Sequence, residues 1–268
     1  MHPDQRVAIV TGASRGLGAA LAQILAKDGY AVACAARATR ENPQPVPGTL
    51  DDVVERIQGA GGTAIGVPVD LADRADVAAM VERTVSEFGR LDVLVNNAAN
   101  GTTGGLDIPL SEHDAIMAVN LDAPFIASRH AVPYLRAAGG GQILNISSLF
   151  ALRSFRGTTG SMSYGIAKIG LERLTVDLAR QLAEDRIAVN CFRVDTPIAS
   201  EGAQAHLPGE DLSDWITTEA AAEGLVWMLH QPLTYTRQLE SMRQLAIREG
   251  IMPTVAAWPG PIPVTSFP

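Results

Sequence analysis

The chain has 268 residues, of which 47% are apolar, with a formal net charge of −8 and a pI near 5.1. That length and apolar content suit one α/β domain with a large core, and the acidity argues against a nucleic-acid or membrane partner. Its two cysteines, Cys34 and Cys191, fall in apolar runs and read as buried, reduced thiols, with no disulfide framework and no metal site.

In chain order, short apolar runs alternate with longer helical patterns. RVAIV (6–10), YAVACAA (30–36), TAIGVPV (63–69), DVLVN (92–96), QILNIS (142–147) and RIAVNCF (186–192) read as strands. They lack inside/outside alternation, the mark of strands buried on both faces of a parallel sheet. Helices are expected over 16–28, 50–60, 73–88, 111–138, 162–184 and 217–230. This β-α alternation predicts a doubly wound, Rossmann-type α/β domain over 1–252, with a parallel sheet of about seven strands and helices on both faces. ENPQPVPG (41–48) interrupts the second β-α unit with three prolines, and the tail 253–268 carries five, too many for a helix. VAIV (7–10) is too short for a signal-peptide core and no run is long enough to span a bilayer, so a cytoplasmic protein is expected.

Three motifs carry chemistry. Gly12, Gly16 and Gly18 follow the first strand and open a helix, spaced G-x-x-x-G-x-G. Glycines there permit a tight turn, close approach of backbone to a pyrophosphate and close helix packing, while the helix N-terminus offers free N–H groups. NISS (145–148) ends the fifth strand. Tyr164 and Lys168, in SMSYGIAK, lie four apart and so share one helix face. An ammonium one turn from a phenol favours the phenolate, which makes tyrosine a usable acid/base.

TGASRGLG, NNAA (96–99), Asn120 in AVNLDAPF, NISS and YGIAK occur in the order found in short-chain dehydrogenases/reductases, and the chain resembles that family from residue 6 to about 250. PGTL (47–50), AVNCFRVDTPI and YTRQLESMRQLAIREGI carry a narrower likeness, to its hydroxysteroid dehydrogenase-like group. The resemblance implies an oxidoreductase that moves a hydride between a nicotinamide cofactor and a carbonyl or secondary alcohol. It assigns Tyr164 as proton donor or acceptor and Lys168 to the nicotinamide ribose and to lowering the tyrosine pKa. Ser148 would bind the substrate oxygen, and Asn120 a water that relays protons. Cofactor contacts would come from Gly12, Ser14, Arg15, Gly16, Leu17 and Gly18, then from Asp70 and Leu71 at the adenine. Asn97 and Ala98 would lie beside the adenosine ribose, and Ile198 and Ser200 near the carboxamide. Homodimers or homotetramers built on helices 111–138 and 162–184 are implied, with the tail residues Trp258 and Phe267 lying over a neighbouring subunit or simply frayed.

Arg37 follows the second strand where an NAD enzyme would carry Asp or Glu, and Arg15 lies near it, so NADP(H) is the expected cofactor. Three departures stand out. Ala99 replaces the last glycine of NNAG, Val194-Asp195 replaces a Pro-Gly, and Ser148 lies 16 positions before Tyr164, three more than usual. Phe150, Leu152, Phe155, Met162, Leu207 and Trp215 suggest a bulky, apolar substrate. Arg153 and Arg156 read as solvated loop residues, with a substrate anion as the alternative. Rival readings are an epimerase, dehydratase or enoyl reductase on the same scaffold, or a dinucleotide-binding redox sensor.

Overall fold

The computed structural model describes residues 5–102, 104–152 and 162–260. Seven strands form one parallel sheet: β1 (Val7–Thr11), β2 (Ala31–Ala36), β3 (Thr63–Pro68), β4 (Val93–Asn96), β5 (Gly141–Ser148), β6 (Ile187–Val194) and β7 (Leu239–Ser241), in the order β3-β2-β1-β4-β5-β6-β7. Successive side chains of β1 enter opposite cores. Ala8 and Val10 pack against α1 (Gly16–Lys27), α2 (Leu50–Gly59), α8 (Thr218–Leu229) and α9 (Met242–Glu249). Val7 and Ile9 pack against α3 (Arg74–Phe88), α5 (Ala123–Ala137) and α6 (Met162–Gln181). Both faces are dry, which is why the strands carry no polar alternation.

The strand order reverses between β1 and β4, so a crevice opens at their carboxyl ends. The loops after β1, β4, β5 and β6 converge there.

The sheet of about seven strands is as expected, and two expectations are corrected. The helix expected over 111–138 is α4 (Leu110–Met117), a π-helical turn (Ala118–Asp122) and α5. The tail was expected to be free of helix, yet α10 (Pro253–Ala256) forms with Pro253 in its first turn, where a missing N–H costs nothing, and buries Val255. The seventh strand, unread in the sequence, is three residues long and acquires its strand character by pairing Glu240 with Phe192. A helical turn, α7 (Glu201–His206), lies between two short paired segments, Ile198–Ala199 and Ile216–Thr217.

Candidate active site

The glycine loop follows β1 directly. Gly12 has φ +69 and Gly16 φ +56, conformations that disfavour a side chain. A Cβ on Gly18 would lie 2.4 Å from the Gly12 carbonyl oxygen, so the loop closes only on glycine. Ser14 is buried within the turn, and Leu17 packs half-buried against the core. Thr11, which sequence reasoning passed over, ties the loop to β4: its hydroxyl donates to Val95 O and accepts from the N–H groups of Asn97 and Ala98. Asn97 donates Nδ2 to Thr11 O at 2.8 Å, so its side chain braces the turn. Ala98 and Leu71 line a small cavity with Thr11. Asp70 is exposed beyond β3, and its carboxylate accepts from Ala72 N. Backbone crowded out of side chains at the head of α1, where N–H groups lack intrahelical acceptors, is a cradle that fits a dinucleotide.

The 41–48 insertion folds back on this loop. Gly48 has φ +106, and a Cβ there would meet Ser14 O at 2.6 Å. Arg15 reaches Gly48 O at 3.5 Å. Burial lowers the Arg15 pKa, Glu201 opposes this and Arg37 adds to it, so the two guanidinium groups lie close enough to repel. Arg40, three residues on, is consumed by Asp52 and Glu55. Arg37 is exposed.

Across the crevice, α6 brings Tyr164 and Lys168 to the end of β5. The Tyr164 and Ser148 hydroxyls are hydrogen-bonded, so the 16-residue separation does not keep serine and tyrosine apart. The extra residues fall in 153–161, outside the described residues, as do Arg153, Phe155 and Arg156. Phe150 meets the Tyr164 ring edge-on at 5.7 Å. Lys168 is 2% exposed and donates Nζ to Ile146 O at 2.8 Å, 5.5 Å from the centre of the Tyr164 ring. The expected depression of the phenol is not found: burial outweighs the hydrogen bond from Ser148 and pushes Tyr164 up to about 12. Burial also pushes Lys168 down to about 8.

Asn120 is fully buried in the π-helical turn, and its Nδ2 donates to Ile116 O and Asn100 O, both at 2.9 Å. Its Oδ1 has no protein partner, a buried acceptor suited to a water. Both the bracing of a helix irregularity and the binding of a water are therefore open to this one side chain.

Beneath the site lies an ion pair that the sequence did not signal. Arg193 on β6 makes two 2.8 Å contacts to Glu172 on α6, and Ser147 donates to the same carboxylate. Next to it Asp195 accepts from Ser241 Oγ and from Arg243 N, so the residue standing in place of glycine anchors the start of α9. Burial raises its pKa. Ala99 does not have positive φ, so losing that glycine costs no backbone strain. Ile198 is half-buried against the core, and Ser200 caps α7 by accepting from Ala203 N. A cleft of about 520 Å³ opens beside them, lined in part by Pro47, Glu201, Gln204 and Leu212. Of the expected substrate wall, Phe150 and Trp215 are half-buried, Met162 and Leu207 exposed, and Leu152 buried. Among the described residues no His, Cys, Asp and Glu cluster suits a metal, and no helix is long and apolar enough to cross a membrane.

Residues 6–205 match the model of the family described as short chain dehydrogenase. Hydroxysteroid dehydrogenase-like protein 2 of Danio rerio is 32% identical over 246 residues, covering 90% of this chain and 58% of that protein. The chain thus spans little more than half the length of that relative. An uncharacterised oxidoreductase of Mycobacterium tuberculosis is 38% identical over 221 residues, covering 80% of this chain and 82% of that one. Among solved structures, a short-chain dehydrogenase/reductase from Serratia marcescens superposes with a TM-score of 0.78 at 31% identity, covering 90% of this chain and 97% of that one. A metagenomic short-chain oxidoreductase in complex with NADP gives 0.70 at 31% identity, covering 88% and 96%.

Proposed function

The chain belongs to the short-chain dehydrogenase/reductase family, and from that premise we propose that it is an NADP(H)-dependent oxidoreductase acting on a carbonyl or secondary alcohol of a bulky, mostly apolar molecule. The observation that carries this reading is the hydrogen-bonded Ser148–Tyr164 pair with the Lys168 ammonium 5.5 Å from the centre of the tyrosine ring. A substrate oxygen between the two hydroxyls would receive a proton from Tyr164 during reduction and return it during oxidation. Ser148 would orient that oxygen. The nicotinamide would supply or accept the hydride.

The loop from Gly12 to Gly18 would hold the diphosphate, and Lys168 the ribose. Tyr164 keeps its proton at neutral pH, which suits a donor in carbonyl reduction. In the oxidative direction the positive ring of the bound cofactor would favour phenolate formation. Arg37 and Arg15 would grip a 2′-phosphate, a group with close to two negative charges that needs such donors. The half-buried Phe150 against Tyr164 supports an apolar substrate. A panel of apolar ketones and alcohols, followed by nicotinamide absorbance with each cofactor, tests the proposal. Turnover of none of them, with either cofactor, would refute it.

A further inference from the structure

Gly16 is the first residue of α1, and Arg15, at the N-cap, makes no side-chain capping bond. Four N–H groups at such a terminus lack intrahelical acceptors. The one on Gly16 is taken by a residue 185 positions away, Glu201, whose Oε2 accepts at 2.9 Å. The contact is close along the backbone as well, since a Cβ on Gly16 would stand 3.5 Å from that of Ser200. Arg15 feels the same negative charge. A carboxylate on a helix N-terminus beside a guanidinium has the electrostatics of a bound phosphate. Glu201 also opens α7, which forms one wall of the cleft beside Ser200.

One N–H and one local positive potential cannot serve Glu201 and a diphosphate together, and the two anions repel. We propose that Glu201 is an internal competitor for the diphosphate position. Its carboxylate latches α7 onto the glycine loop, and the incoming cofactor displaces it, so that cofactor entry and release of the cleft wall are one event. The inference rests on the reading that this chain binds a nicotinamide dinucleotide.

The latch lowers the fraction of chains open to cofactor, which slows association and leaves dissociation untouched because Glu201 has already left in the complex. Stopped-flow and equilibrium titrations of the full chain with NADPH test this, comparing the wild type with Glu201→Gln and Glu201→Ala. Both variants should bind about fivefold tighter, the size of a screened anion–helix interaction, with the whole gain in the association rate. Association rates equal to that of the wild type overturn the latch, as does weaker binding. Binding of neither NADPH nor NADH by the wild type and both variants would instead refute the functional reading, and the latch with it.

Discussion

The Lys168 ammonium stands 5.5 Å from the centre of the Tyr164 ring, with a backbone carbonyl, Ile146 O, as its acceptor. A charge buried without a carboxylate is costly, and this accounts for the fall of the Lys168 pKa from 10.5 to about 8. The stability consequence has a definite sign. Between pH 8 and 10.5 the unfolded chain holds a proton that the folded chain has released, so this group adds stability as pH rises through that window and loses it as pH falls through about 8. The difference is at most on the order of 3 kcal/mol. Urea unfolding of the wild type and Lys168→Met should show the wild type gaining on the variant between pH 7.5 and 10.5, while a pH-independent gap would refute the buried titration.

Tyr164→Phe should abolish turnover and leave cofactor affinity within about twofold. Removing one hydroxyl deletes the proton donor and hardly changes shape, so the loss falls on kcat. Retention of most activity would remove Tyr164 from the chemistry.

Arg37→Ala should lower kcat/KM for NADPH while leaving NADH almost unchanged. A charged hydrogen bond is worth about 1.5–3 kcal/mol, so the wild type should favour NADPH by roughly ten- to a hundredfold. Steady-state kinetics with both cofactors check this, and equal or better use of NADH by the wild type would contradict it.

Glu172→Gln should destabilise the fold by about 3–5 kcal/mol, because it leaves the buried Arg193 guanidinium without its counter-charge. Replacing both residues with Met should recover most of that loss. Denaturant unfolding of Glu172→Met, Arg193→Met and the double variant measures the coupling.

Phe125 on α5 and Ile166 and Ile169 on α6 are 49%, 51% and 44% exposed. Large apolar groups of this kind on neighbouring helices suit burial against a second copy of the chain. Light scattering should give a dimer or tetramer for the wild type and a smaller species for Ile169→Glu. A wild-type monomer at micromolar concentration would exclude this assembly.

Local pattern was enough to read six of the strands, since a strand buried on both faces must be continuously apolar, as VAIV and AVACAA are. It also gave the glycine turn, because Gly12, Gly16 and Gly18 answer to backbone sterics within a few residues. The Tyr164–Lys168 pairing follows from helix pitch alone. By contrast, β7 is three residues long with a central Glu240, and only its pairing with β6 makes it a strand. The π-helical turn at Asn120 adds a residue to one turn and leaves the apolar periodicity of its neighbours nearly unchanged. The fall in the Lys168 pKa and the rise in that of Tyr164 come from burial, which a helix-face argument cannot supply. The contacts of Gly48 with Ser14, Arg193 with Glu172 and Glu201 with Gly16 join residues between 21 and 185 positions apart. Such pairs have no period and no fixed spacing. They arise only when the parallel sheet, its covering helices and its carboxyl-end loops are assembled, so tertiary structure alone decided them.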